Sequence, residues 1–217
     1  MNILVTAGPT REALDPVRCL TNRSSGRMGY ALAEAGAHNG HRVTLVSGPT
    51  ALDVPPGVDF IPVESAREMY EAVRCACAYA DAAILCAAVA DYCPVTYSEQ
   101  KIKKMEEKLI VEFERTPDIL GSMRDVFGFR GILAGFAAET QDMEAGARRK
   151  LESKKCDFIV ANDVSRRDIG FDSPENEVTL VFPEGSLSCP RDSKEHIAIR
   201  IIEYVEALAS SHTHGVA

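Results

Sequence analysis

The 217-residue sequence contains no run approaching the roughly 18 consecutive apolar residues of a membrane-spanning helix. Its opening residues, MNILVT, read as a strand without the charged prelude of a secretory signal. The expectation is a cytoplasmic chain with no membrane partner. Basic charge is also in short supply: 24 Lys and Arg stand against 32 Asp and Glu, a net charge of −8. A nucleic-acid surface needs a basic face, so nucleic acid is not an expected partner, although a small anion is accommodated wherever basic residues converge. Seven cysteines at 19, 75, 77, 86, 93, 156 and 189 form an odd set without a C-x-x-C spacing, which favours structural thiols over metal or redox roles. The glycine fingerprint G-x-G-x-x-G is missing from the first strand–helix junction, and no acidic residue closes the second strand. An NAD(P)-dependent oxidoreductase is therefore poorly supported.

What is present is an alternation. Short apolar runs at 2–6, 42–46, 58–63, 82–86, 131–136 and 157–162 are separated by helix candidates at 26–39, 65–80, 117–127 and 142–155. This is the rhythm of parallel strands joined by helical crossovers, an α/β fold with a doubly wound, mainly parallel, Rossmann-like sheet. With 46% hydrophobic residues, the chain reads as one domain over 1–208. Residues 96–116 interrupt it with a basic patch, a turn and an alternating run, expected to form a hairpin arm or flap. A strand is expected at 176–182 and a last helix at about 192–208. The tail 209–217 is expected to be disordered.

In such folds ligands collect at the carboxyl ends of the strands. The segment LTNRSSGRMGYALAEA (20–35) opens a helix with serines and glycines in place of bulky residues. Gly26 and Gly29 permit close approach to the backbone, and Ser24 and Ser25 lie beside the unpaired N–H groups of a first turn. Together with Gly8-Pro9-Thr10 at the first strand exit, they describe an anion seat in two pieces. A second Gly-Pro-Thr at 48–50 reads as a tight strand exit with no ligand. A helix N-terminus contributes about 0.3–1 kcal/mol toward an anion, too little for a polyphosphate. A lysine near ~4 Å adds on the order of 4 kcal/mol at an effective dielectric of ~20, before desolvation. Candidates are Lys101, Lys103 and Lys104 in the arm and Lys150, Lys154 and Lys155 on the later helix, where Lys150 and Lys154 share a face. The competing readings are a solvated helix surface and an edge-strand guard. Three further strand exits are polar: CAAVADY through Ala87 and Ala88 to Asp91, GFAAET through Phe136 to Glu139, and Asn162-Asp163. Small residues there suit a flat base or a slender chain, and equally suit helix packing or an Asx turn.

The segments TAGPTREALDPVR (6–18), TNRSSGRMG (21–29), VSGPT (46–50), CAAVADY (86–92), KIKK (101–104), TPDIL (116–120), GFAAET (135–140), the Lys150/Lys154 pair and ANDVS (161–165) occur in order along nearly the whole chain. Together they resemble the bacterial phosphopantothenoylcysteine synthetases. The resemblance implies a ligase of coenzyme A biosynthesis: 4′-phosphopantothenate and CTP form an acyl-cytidylate with Mg²⁺ present, and L-cysteine then displaces CMP. It implies no flavin in this chain. By position, Asn22 matches an asparagine tied to conversion of the intermediate, and Lys101 a lysine tied to forming it. Ala87, Ala88 and Asp91 match residues lining phosphopantothenate and nucleotide. Gly8, Ser24, Gly26 and Gly29 match the phosphate loop, while Pro117, Phe136, Lys150, Lys154 and Asn162 match other nucleotide contacts. Arg18 matches an arginine that reaches the phosphopantothenate phosphate of a neighbouring subunit, which implies a homodimer. Many bacterial relatives carry a flavin-dependent decarboxylase ahead of this region, whereas the first strand here begins at Asn2. The expectations are a free-standing ligase or the ligase part of a fused protein, with a functional association to that decarboxylase. A non-catalytic nucleotide-binding subunit is the rival of another class; it would tolerate loss of Asn22 or Lys101, and both are present.

Overall fold

A computed structural model describes residues 1–104, 107–139, 142–163, 173 and 175–214, with the side chains of 139, 163 and 212–214 excepted. In chain order the first elements are β1 (Asn2–Ala7), β2 (Arg11–Ala13), β3 (Cys19–Thr21), α1 (Arg27–His38), β4 (Arg42–Ser47), β5 (Val58–Pro62) and α2 (Ala66–Ala76). There follow β6 (Ala82–Leu85), β7 (Tyr92–Pro94), β8 (Phe113–Arg115), α3 (Ile119–Asp125), β9 (Ile132–Glu139) and α4 (Met143–Lys154). The chain closes with β10 (Phe158–Asp163), β11 (Glu175–Phe182), β12 (Gly185–Ser193) and α5 (Lys194–His214).

Eight strands form one sheet in the order β12-β11-β10-β9-β6-β1-β4-β5. All pairs from β10 to β5 are parallel, and β11 and β12 add antiparallel pairs at one end. The apolar runs are nearly continuous because the central strands are covered on both faces. Ile3 and Val5 of β1 join a core with Leu32 of α1, Phe158 of β10 and Ile201 of α5. Leu4, pointing the other way, joins Met69 of α2, Met123 of α3 and Leu151 of α4. Thus α1 and α5 cover one face, and α2, α3 and α4 the other. The helix starts are locally encoded: Ser65 and Glu68 form a reciprocal capping box on α2, and Asp118 accepts from Gly121 N–H at the start of α3. From β1 the chain builds β4 and β5 to one side, then returns to lay β6 on the other side of β1. That reversal between β1 and β6 is a topological switch point, where open α/β sheets hold ligands.

Three features differ from the sequence expectations. The loop expected before the first helix folds as a hairpin, with Arg11, Glu12 and Ala13 paired to Thr21, Leu20 and Cys19. Its turn is organised by Asp15, which accepts from the N–H groups of Val17 and Arg18. Residues 185–193, for which no strand is expected, form the edge strand β12, and the last helix begins at Lys194. The last helix runs to His214, so the tail expected to be disordered from 209 is helical through 214. Ser210 and Ser211 hydroxyls bond back to the carbonyls of Glu206 and Leu208 there. Residues 164–172, 174 and 215–217 lie outside the described residues. The arm has a β7–β8 ladder as its stem, while described residues 95–104 and 107–112 form neither strand nor helix.

Candidate active site

A cleft of about 810 Å³ opens at the carboxyl edge of the sheet. Its floor begins where the β1 exit and the loop after β6 are laced together. Ala88 N–H donates to Gly8 O at 2.9 Å, Thr10 N–H to Ala88 O at 3.3 Å, and Ala90 N–H to the Thr10 hydroxyl at 2.9 Å. Ala87 N–H donates to Thr6 Oγ1 at 3.1 Å. The small residues of CAAVAD therefore let two backbones meet, and Ala87, Ala88 and Asp91 line the cleft beside that seam. Asn22 is fastened to the same seam. Its Nδ2 donates to Ala88 O at 3.0 Å and Val89 O at 3.2 Å, leaving Oδ1 as its acceptor.

The α1 wall carries Ser24, Gly26 and Gly29. Gly26 sits at the helix N-cap with φ +79°, a left-handed conformation, and a Cβ there would come within 2.7 Å of the Thr50 methyl. No side chain caps α1; Ser24 Oγ instead accepts from Gly26 N–H at 3.3 Å. Gly29 answers a different demand. A Cβ on it would meet Ala7 Cβ at 2.5 Å, so what approaches it closely is β1 rather than a ligand alone. The second Gly-Pro-Thr stands behind the first: a Cβ on Gly48 would meet Pro9 O at 1.9 Å. The repeat thus forms a backbone wall supporting the seat.

The opposite wall comes from α3, α4, β9 and β10, with Pro117, Phe136, Lys150, Lys154 and Asn162. Lys150 Nζ donates to Phe136 O at 2.7 Å, and Lys154 pairs with Asp118. Burial raises the Asp118 pKa, but the Lys154 hydrogen bond, the Gly121 N–H and the lysine charges outweigh it and hold the group below its ordinary value. Of the residues singled out in the sequence, Gly8, Arg18, Lys101, Lys103, Lys104 and Lys155 do not line the cleft, and Lys155 pairs with Asp125 on α3 instead. Gly8 lies directly beneath Gly26, its Cα 3.3 Å from where a Gly26 Cβ would stand. Arg18 and the arm meet outside the cleft, with Arg18 Nη2 donating to Ile102 O at 2.9 Å beside Lys101. The Asp15 carboxylate is buried and accepts from Arg18 Nε at 3.0 Å and Ile102 N–H at 3.1 Å.

Sequence reasoning also missed Arg23, Arg27, Arg115 and Lys194, all of which line the cleft. Lys194 had a legible signal, because it precedes Ile197 and Ala198 by three and four residues on the buried stripe of α5. With Lys150 and Lys154, six basic side chains face Asp91 and Asp118, in a chain whose net charge is −8. The basic residues do converge locally. Cys86, in the same wall, is pushed up to about 12 by burial and stays a thiol at neutral pH.

A cationic cleft at the switch point of a doubly wound sheet defines an α/β domain with a site suited to phosphate-bearing ligands. The particular family is equally plain: residues 1–208 match the DNA/pantothenate metabolism flavoprotein C-terminal domain, and the chain belongs to it. It is 49% identical over 209 residues to the coenzyme A biosynthesis bifunctional protein CoaBC of Vibrio vulnificus strain YJ016, covering 95% of this chain and 52% of the relative. The corresponding protein of Bacillus subtilis strain 168 is 47% identical over 210 residues, covering 96% and 52%. The chain therefore spans about half the length of these relatives. Among solved structures, the C-terminal domain of a CoaBC protein is 42% identical with a TM-score of 0.81, covering 97% of this chain and 96% of that domain. A Cab2 variant in complex with phosphopantothenate-cysteine has the same fold, with a TM-score of 0.81 at 18% identity.

Proposed function

We propose that this domain joins 4′-phosphopantothenate to L-cysteine in coenzyme A biosynthesis, using CTP. The observation that carries the reading is the cationic cleft in an acidic chain, built on the segments shared with the synthetases. Both substrates bear phosphates, and bringing a carboxylate onto the α-phosphorus sets anion against anion. A convergence of Arg and Lys is what this step requires. The carboxylate oxygen attacks the α-phosphorus and pyrophosphate leaves, giving a mixed anhydride in which CMP is a competent leaving group. The cysteine amine then attacks the acyl carbon, a C–N bond forms, the acyl C–O bond breaks, and the amine proton is released with CMP.

Asn22 stands beside Ala87 and Ala88, where the acyl group would lie against the seam. Because its Nδ2 already serves two carbonyls, donation to a developing oxyanion exchanges one of those bonds. The seat of Ser24, Gly26 and Gly29, with Gly8 beneath it, suits phosphate oxygens, while Pro117, Phe136, Lys150, Lys154 and Asn162 suit the nucleotide from the other side. Lys101 would reach the acylation step from the arm. Magnesium fits in one form. Among the described residues no three His, Cys, Asp or Glu side chains gather into a metal site, and Asp118 is engaged by Lys154. A magnesium ion carried on nucleotide phosphates, with Asp91 as its protein ligand, would neutralise phosphate charge.

The active form proposed is a homodimer. Exposed apolar residues gather on the β2–β3 hairpin and the arm: Val17, Val95, Tyr97, Leu109 and Ile110, the last 91% exposed. Arg18 sits among them and would contact the phosphopantothenate of the partner's cleft. A functional association with a phosphopantothenoylcysteine decarboxylase accords with relatives twice as long that are named bifunctional. The test is incubation with CTP, phosphopantothenate and cysteine, following CMP and pyrophosphate. Product formation dependent on all three, and much faster with CTP than ATP, is expected. Equal or faster turnover with ATP rejects the base assignment, and no product with either rejects the ligase.

A further inference from the structure

Six basic residues line the cleft, and they differ in burial. Arg23, Arg27 and Arg115 are exposed, Lys150 and Lys154 partly so, whereas Lys194 retains only 4% of its surface. Lysine is rarely so covered, because an ammonium taken out of water must recover its hydration from nearby anions or acceptors. Its place in the fold explains the burial. Strand β12 runs parallel to β10 through the intervening antiparallel β11, so its carboxyl end reaches the same sheet edge as the central strands. Lys194 is the first residue of α5, one turn before Ile197 and Ala198, which pack in the core shared with α1. An apolar residue at this stripe position would serve packing alone. Here the position carries a charge, and it forms cleft wall with Asn162, Asn176 and Cys86.

We propose that Lys194 is a polyphosphate-binding residue of the cleft, placing a cation on the α1–α5 side of the sheet against phosphates that the α4 lysines approach from the other. The ligand class is a nucleotide-borne polyphosphate, so the proposal rests on the nucleotide reading above and deepens it. Two observations support it beyond burial. Lys194 lines the cleft together with Cys86 at the end of β6, which sets it in the cleft wall rather than on the outer face of α5. And α1, whose uncapped start forms the Ser24–Gly26 seat, packs in one core with α5 and begins at the same sheet edge. Lys194 also engages neighbours within the protein. The proposal requires only that its charge reach the cleft, where a bound polyphosphate offsets the desolvation that burial imposes.

The test uses inorganic tripolyphosphate as a probe that needs neither base recognition nor turnover. Its binding to the wild-type chain, to Lys194→Met and to Lys194→Arg is measured by calorimetry, with cytidine as a probe lacking phosphate. Lys194→Met is expected to weaken tripolyphosphate about ten- to hundredfold, as loss of a charge-assisted contact in a desolvated site implies. Cytidine affinity should change less than about twofold, and Lys194→Arg should restore most of the tripolyphosphate binding. Unchanged tripolyphosphate affinity in Lys194→Met overturns the proposal, as does equal loss of both probes or failure of the wild type to bind tripolyphosphate. If Lys194→Met does not fold, Lys194→Gln takes its place under the same criteria. A wild type that binds tripolyphosphate yet makes no product with CTP leaves Lys194 in its role and rejects the ligase instead.

Discussion

Asn22 commits its amide nitrogen to Ala88 O and Val89 O, so it clamps the CAAVAD loop, and the proposed reaction sets the acyl group beside it. Asn22→Asp replaces two donors with an acceptor facing two carbonyls and puts negative charge beside a developing oxyanion. We expect pyrophosphate release to persist while cysteine attack slows by about 10²–10³-fold, the range for losing an oxyanion donor. Acyl-cytidylate should then accumulate in quenched reactions analysed by mass spectrometry. Wild-type product formation with no intermediate would remove Asn22 from this role. Lys101→Gln should act at the earlier step and leave little intermediate at all. At this scale the sequence was informative about placement, since Asn22, Ser24, Lys150 and Lys154 all line the cleft. It was silent where a partner decides the meaning. Gly29 reads as room for a ligand until Ala7 is seen 2.5 Å from its absent Cβ.

The hairpin of β2 and β3 and the arm are coupled by one carboxylate. Asp15 accepts from Val17, Arg18 and Ile102 N–H groups and from the Arg18 guanidinium, while Ser98 N–H donates to Leu14 O at 3.0 Å. The Arg18 hydrogen bond, aided by those N–H groups and opposed by burial, holds the Asp15 carboxyl well below the usual carboxylate range. A depressed pKa gives a contribution present above the unfolded value of about 3.9 and lost only as pH falls through the lower folded value. Exchange protection of the Ile102 amide, referred to its intrinsic rate, should therefore be unchanged between about pH 7 and pH 4.5. In Asp15→Asn, which lacks the charge and offers one acceptor oxygen, protection should fall and protease cleavage within 98–112 should accelerate. Equal protection in both proteins would show the arm held by other contacts. The parallel strands were legible because two-sided burial writes continuous apolar runs. The β2–β3 hairpin was not, since three-residue strands carry no period, nor was β12, where polar SLSCPRDS gains its order from pairing with β11.

As a whole molecule, the chain places its cleft at one edge of the sheet and one group of its exposed apolar residues on the two hairpins beside it. If Arg18 acts across a dimer interface, Arg18→Ala and Asn22→Asp chains should each be nearly inactive. Mixed and re-formed dimers should recover activity, because one cleft per heterodimer then receives both wild-type residues. Heterodimers shown to form yet as inactive as their parents would confine Arg18 to its own chain. Fold class was the most legible property at this scale, since alternation of strand and helix is a property of the whole sequence. The arrangement of subunits was not, because the residues that would meet, such as Val17 and Ile110, lie far apart along the chain. A different consequence follows from the direction of β1. Its six residues, Asn2–Ala7, run from the amino edge to the edge that carries the cleft, a span of about 20 Å at ~3.3 Å per residue. Anything tethered ahead of Met1 hangs from the far rim of the sheet, and can be attached, exchanged or cut away without touching a wall of the cleft.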